Sequence, residues 1–216
     1  MPHVFVETNW LFAYAAPAHH QVPAAAELLE RARNRDFTLH MPYLCIDEAR
    51  QAIRTKCQPR KEADALRRFL QHATTNDTVT GEHAAIARTI LDQYESSIRN
   101  DLDNLDQQLQ ATAALPHLHT FALDDIMLAR CTRLALDGTA KDPFDQAILA
   151  GIIVTAERLW AEGEQALSFC EADNDLQPWD KRGGPKPELK ALYDNAHVWV
   201  YGDFTLSQPA RRAGFA

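Results

Sequence analysis

Short apolar segments alternate with longer amphipathic segments along this chain. The short segments predict strands at residues 3–6, 37–41, 119–123, 166–170 and 197–201. The segments between them predict helices at residues 10–16, 23–33, 43–55, 61–72, 82–114, 124–136, 142–162 and 188–195. Strands that alternate with helices are typical of βαβ units. We therefore predict an α/β fold with three layers, α/β/α, around a central parallel sheet.

The longest predicted helix, at residues 82–114, carries an apolar stripe. Its members recur at spacings of three and four and are Leu91, Tyr94, Ile98, Leu102, Leu105 and Leu109. The stripe predicts packing within the chain, which we favour, or pairing with a second copy in a homodimer. A length of 216 residues is typical of one domain, so we predict a single domain over residues 1–216.

Acidic residues follow two of the predicted strands and begin one of the helices. They are Glu7 after the first strand, Glu171, Asp173 and Asp175 after the fourth, and Asp142 and Asp145 at the start of the helix before it. The carboxyl ends of parallel strands form the edge where open α/β sheets bind their ligands. We therefore predict one acidic pocket at this edge.

A pocket of carboxylates needs a compensating charge. Carboxylates a few ångströms apart must protonate, separate or bind a cation, and Mg²⁺ or Mn²⁺ is the simplest answer because both prefer oxygen ligands. Some of the acids also have structural explanations: Asp142 as an N-cap before Pro143, Glu48 as a helix-dipole partner, and Asp175 as a turn residue. An acid at the end of a buried strand, such as Glu7 or Asp173, has little structural purpose.

Charge and composition narrow the class of partner. The net charge of −8 argues mildly against a general nucleic-acid binder, but basic residues cluster after residue 50. Candidates for holding RNA are Arg50, Arg54, Lys56, Arg60 and Lys61. The alternative for each one, which we favour, is that it solvates a helix face. The sequence lacks the glycine-rich motifs of dinucleotide and P-loop sites and the Gly-x-Ser-x-Gly motif of α/β-hydrolases.

The sequence also favours a cytoplasmic location. No apolar run approaches the length of a membrane span, and the first residues do not have the pattern of a signal peptide. The 4 cysteines are scattered and form no CxxC pair, which predicts reduced thiols rather than disulfides or a zinc site.

Four segments in this order resemble the PIN domain, a family of metal-dependent nucleases. They are VFVETNWLF at residues 4–12, LCIDEARQAI at 44–53, DPFDQAILAGII at 142–153 and LSFCEADNDL at 167–176. The resemblance implies that Glu7, Glu48, Asp145 and Asp173 are catalytic residues and metal ligands, that Asp142 and Asp175 also face the metal, and that Thr8 and Asn9 support the site. It implies a PIN-like fold, in which residues 60–116 are a long helical insertion.

The function implied by this resemblance is metal-dependent hydrolysis of phosphodiester bonds in single-stranded RNA, with Mg²⁺ or Mn²⁺ as cofactor. Such an endoribonuclease acts as the toxin of a toxin–antitoxin pair, with an antitoxin protein as partner, as a defence nuclease or in RNA processing. The sequence departs from the family at Glu7, where Asp is usual, and at Glu171, where Thr or Ser is usual.

Two other functions remain open. The first is a PIN-like module that binds RNA or protein and has lost catalysis through Glu7. The second is another metal-dependent phosphate hydrolase, such as a phosphatase, which would require a first-strand Asp nucleophile that this chain lacks.

Overall fold

A parallel sheet forms the centre of the protein. The computed structural model describes residues 1–207, so residues 208–216 of the predicted domain lie outside the described residues. Within the described residues the strands are β1 (His3–Phe5), β2 (Thr38–Pro42), β3 (Leu118–Phe121), β4 (Leu167–Cys170) and β5 (Val198–Tyr201). They pair in parallel in the order β3-β2-β1-β4-β5. The predicted α/β fold with a central parallel sheet is therefore confirmed.

Helices flank this sheet and give the fold its three layers. They are α1 (Thr8–Ala15), α2 (Pro23–Arg33), α3 (Cys45–Lys56), α4 (Pro59–Thr75), α5 (Gly81–Ala113), α6 (Asp125–Asp137), α7 (Pro143–Ala161) and α8 (Pro187–Asn195), with a short 3₁₀ helix at Ala18–His20. Each predicted helix is present with ends shifted by a few residues. The α2 helix begins at Pro23, which fits the first turn because its missing N–H needs no partner there.

The order of the strands creates a switch point at the middle of the sheet. From β1 the chain adds β2 and then β3 on one side, and it returns to place β4 and β5 on the other side. Helices that connect parallel strands must run back antiparallel to them, so α7 begins near the carboxyl ends of the strands. Open α/β sheets bind ligands at such a switch point.

The α7 helix contributes many buried residues to the core. Ile148, Leu149, Ile152 and Ile153 are all buried. Gly151 allows close approach, since a Cβ atom there would lie 2.9 Å from Cδ2 of Leu123 and 3.3 Å from Cε2 of Phe121. This packing fixes the position of the α7 N-terminus relative to the sheet.

The α4 and α5 helices pack together as a hairpin. Ala63, Leu70 and Leu91 form a small buried cluster between them, separate from the main core. Farther along α5, Ile98 is buried, and Leu105 and Leu109 belong to the main core. The α5 helix contacts α1, α3 and α4. The predicted apolar stripe is therefore largely used within the chain.

The helices and the cysteines bear on the predictions for a membrane span and for disulfides. None of the helices within residues 1–207 has the length and apolar character needed to cross a membrane. Cys45, Cys57, Cys131 and Cys170 are all free thiols, as predicted.

Candidate functional site

A cavity of about 250 Å³ opens at the carboxyl ends of β1 and β4. Its lining consists of Glu7, Thr8, Asn9, Glu48, Ala52, Lys56, Asp142, Asp145, Glu171, Asp173, Asp175 and Leu176. The structure thus brings together all the acids predicted as catalytic residues or metal ligands, along with both supporting residues. Glu171 and Lys56 line the same cavity. We call it the acidic pocket.

Glu7 lies at the inner end of the acidic pocket and is 4% exposed. It is the N-cap of α1, and its Oε1 atom accepts a hydrogen bond of 2.8 Å from the Asn9 backbone N–H. Burial, opposed by the Asn9 hydrogen bond and reinforced by the nearby Glu48, Asp145 and Asp173 carboxylates, raises the pKa of Glu7 to about 8. Without a cation, the protonated form of Glu7 is therefore favoured at neutral pH.

Glu171 follows β4 and is 1% exposed. Its Oε1 atom accepts the Asp173 backbone N–H at 2.6 Å and is 3.5 Å from the Asn9 Nδ2 donor. Its Oε2 atom is buried and has no hydrogen-bond partner among the described residues. Burial, followed by the charge of Glu7, raises the pKa of Glu171. This residue was absent from the predicted set of ligands.

Two helices supply the next acids. Glu48 is in the first turn of α3, and the Thr8 hydroxyl donates a hydrogen bond to its Oε2 atom. Burial raises the pKa of Glu48, against the effects of the Thr8 hydrogen bond and the Lys56 charge. Asp145 is in the first turn of α7, where burial and then the Asp142 and Glu48 charges raise its pKa to about 6.

Asp142 caps a helix, which is the structural role that the sequence offered as an alternative to metal binding. It is the N-cap of α7, and its Oδ1 atom accepts the Phe144 backbone N–H at 2.7 Å. Asp142 is exposed and also lines the acidic pocket, so capping and a role at the pocket are compatible.

The loop after β4 holds Asp173 and Asp175 at the exposed rim of the pocket. Gln177 Nε2 donates to the Glu171 carbonyl at 2.7 Å, and the buried Tyr193 hydroxyl donates to the Leu176 carbonyl at 2.8 Å. Lys186 Nζ donates to the Asn174 carbonyl. These contacts come from residues that follow the loop or lie within it, and they hold the loop backbone rather than the acidic side chains, so the acidic motif alone does not reveal them.

The basic residues predicted to hold RNA separate into three groups. Arg50 is paired with Asp47 and, at 2.7 Å, with Asp106, and Arg54 is 3.3 Å from Asp106. Arg60 and Lys61 are exposed in the first turn of α4. Lys56 lines the acidic pocket, and its ammonium lies 5.2 Å from the centre of the Phe12 ring. Of these five basic residues, Lys56 is thus the one that lines the acidic pocket.

The chemistry of the acidic pocket fits a hard divalent cation. Its donors are carboxylate, hydroxyl and amide oxygens, and the unpartnered Oε2 atom of Glu171 is an acceptor without a donor. The described side chains contain no group of three or more His, Cys, Asp or Glu residues already arranged to hold a metal ion.

Comparison with known proteins adds no family assignment at this point. The chain matches no protein-family model and no curated protein.

Proposed function

We propose that this protein is a metal-dependent endoribonuclease that hydrolyses phosphodiester bonds of single-stranded RNA. The observation that carries the proposal is the convergence of seven carboxylates on one cavity of about 250 Å³ at the switch point of the sheet. The sequence resemblance to the PIN domain supports RNA as the substrate class and Mg²⁺ or Mn²⁺ as the cofactor.

The residues of the pocket have distinct roles in this proposal. Glu7, Glu48, Asp145 and Asp173 would hold the cation, with Asp142 and Asp175 at the outer side. The bound ion would supply Lewis-acid stabilisation of phosphate charge and a more acidic water. Thr8 orients Glu48 through its hydroxyl, and the Asn9 backbone N–H orients Glu7. Lys56 provides a positive charge at the edge of the pocket for an RNA phosphate.

The test is cleavage of a mixed single-stranded RNA pool in Mg²⁺, in Mn²⁺ and in EDTA. We expect cleavage with either metal, none in EDTA, and a loss of at least about 100-fold in Asp145→Asn, because the variant removes a charged ligand while leaving the side-chain shape. Asp125→Asn is the matched control, since Asp125 is in the first turn of α6 and is exposed. That control should cleave like the wild type.

Other outcomes would point to the other functions. If folded wild-type protein binds RNA without cutting it and Glu7→Asp restores cleavage, the chain is a binding module that lost catalysis. Hydrolysis of small phosphate monoesters without RNA cleavage would indicate a phosphatase. Cleavage that persists in EDTA and in Asp145→Asn would overturn the proposal.

A further inference from the structure

Glu171 is an unusual residue for the position it occupies. Its side chain is 1% exposed, lines the acidic pocket and keeps one carboxylate oxygen buried without a hydrogen-bond partner among the described residues. A buried polar atom without a partner destabilises the native state, and a charged one does so more strongly. Such an atom at the wall of a cavity indicates a group that binds there.

The sheet places Glu171 beside Glu7. In the parallel pairing of β1 with β4, Phe5 is opposite Phe169. Glu7 lies two residues after Phe5 and Glu171 two residues after Phe169, so an extension of the same register places the two glutamates side by side, and the charge of Glu7 acts on Glu171. Both side chains are almost fully buried, and both line the same cavity. The innermost wall of the acidic pocket is therefore a pair of glutamates that follow two adjacent strands.

The local backbone does not account for a glutamate at this position. The turn after β4 needs an acceptor for the Asp173 N–H, which Glu171 Oε1 provides at 2.6 Å. The amide oxygen of Gln or the hydroxyl of Ser meets that need without burying a charge. The Glu171 side chain is also not needed to anchor the loop after β4, because Gln177 Nε2 donates to the Glu171 backbone carbonyl.

We propose that Glu171, together with Glu7, is a direct ligand of the divalent cation in the acidic pocket. This inference rests on the proposed metal dependence and extends it to a residue outside the predicted ligand set. The pair forms the deep end of the site, and Asp173 and Asp175 lie at its exposed rim. A cation between the two glutamates supplies the partner that the Glu171 Oε2 atom lacks, and it removes the repulsion between the carboxylates.

Metal binding tests this assignment without relying on catalysis. We would titrate Mn²⁺ into wild-type protein and into Glu171→Gln by calorimetry, and measure Tm in EDTA and in Mn²⁺. We expect Glu171→Gln to raise the Kd for Mn²⁺ at least tenfold and to reduce the rise in Tm that Mn²⁺ causes. In EDTA its Tm should equal or exceed that of the wild type, because the amide removes a buried charge.

Two further variants keep the test decisive. Asp203→Asn is the control for loss of one negative charge, because Asp203 follows β5 at the same edge of the sheet and lies outside the lining of the pocket. It should bind Mn²⁺ like the wild type. Glu171→Ser keeps an acceptor for the turn and should lose Mn²⁺ affinity as Glu171→Gln does. It replaces Glu171→Gln as the test if that variant folds poorly.

The outcomes separate this inference from the proposed function. Unchanged Mn²⁺ affinity in Glu171→Gln and Glu171→Ser, with RNA cleavage still dependent on metal, would overturn the ligand role alone. A lower Tm in EDTA with unchanged affinity would likewise show a structural role. A wild-type protein that binds no Mn²⁺ would overturn both proposals.

Discussion

Asp142 combines two roles that substitution can separate. Its side chain caps α7 through the Phe144 N–H, and it also lines the acidic pocket. Asp142→Ala removes both the cap and the carboxylate, so we expect the free energy of unfolding to fall by about 1 kcal/mol. Asp142→Ser keeps a capping oxygen and should leave that free energy within about 0.5 kcal/mol of the wild type. Urea unfolding in EDTA measures both values; equal losses in the two variants would show that the cap is unimportant.

Lys56 is the residue at which we expect substrate binding to separate from metal binding. Its ammonium faces the pocket beside the Phe12 ring, so Lys56→Met removes the charge and keeps an apolar side chain against the ring. We expect a higher KM for RNA with little change in kcat. The slope of log KM against log salt should fall by about 0.7, the value for one phosphate contact on a single strand. Removing a cation should not weaken Mn²⁺ binding.

The control for Lys56 is Arg33→Met, which removes a positive charge from the exposed end of α2, near Thr38 at the amino end of β2. It should leave KM and its salt dependence unchanged. A salt slope in Lys56→Met equal to that of the wild type would show that Lys56 does not contact a phosphate.

At the level of helices and strands, the sequence predicted which elements are present better than it predicted which residues they bring into contact. Apolar runs and residues at helix ends, such as Pro23, Asp124 and Gly138, identify most elements, because these signals act over a few residues. Gly138 ends α6 in a left-handed conformation with φ of 68°, which glycine adopts without a steric penalty. The burial of Glu171 beside Glu7 was not predicted, because it depends on the pairing of β1 with β4, which are far apart in sequence. The pairing of Arg50 with Asp106 was missed for the same reason.

The α4–α5 hairpin should respond to mutation as a local unit. Leu70 is 5% exposed in a small cluster with Ala63 and Leu91 that is separate from the main core. Leu70→Ala leaves a cavity there, and we expect a loss of about 2–3 kcal/mol in the stability of the hairpin. Hydrogen exchange should become faster in α4 and in the first half of α5, while β1 and β4 keep their protection.

Leu66 offers a matched control on the same helix, because it is 47% exposed. Leu66→Ala should change hydrogen exchange little. Mn²⁺ affinity should be the same in both variants, since the acidic pocket contacts neither residue. Uniformly faster exchange through β1 and β4 in Leu70→Ala would show instead that the hairpin and the sheet unfold together.

For the whole molecule, the acidic pocket links stability to pH. An acid whose pKa is raised by folding binds more protons in the native state, so the free energy of unfolding falls as pH rises through that pKa. The loss from Asp145, with a pKa of about 6, is largely complete above that pH, whereas the loss from Glu7, with a pKa of about 8, continues up to about that pH. The buried His3 and His40 have lowered pKa values and act in the opposite direction, but only below about pH 6.5.

The range from pH 6.5 to 8.5 lies above the histidine transitions and contains the pKa of Glu7. For a pKa of about 8, Glu7 alone should lower the free energy of unfolding by about 2 kcal/mol across this range in EDTA. The charged groups that raise its pKa, or whose pKa it raises, include Glu48, Asp145, Asp173 and Glu171, all of them acids. Urea unfolding at several pH values measures the slope, and Glu7→Gln, which cannot ionise, should flatten it.

A bound cation should reverse this dependence, because it competes with protons for the same carboxylates. In Mn²⁺ at a concentration well above its Kd, the native state gains RT ln(1 + [Mn²⁺]/Kd), a gain that grows as rising pH frees the glutamates. We therefore expect the free energy of unfolding to be level or to rise between pH 6.5 and 8.5 in Mn²⁺, where it falls in EDTA. Glu7→Gln should show a smaller difference between the two conditions. Parallel curves in EDTA and Mn²⁺ would mean that the ion binds elsewhere, and that the seven carboxylates relieve their repulsion by protonation alone.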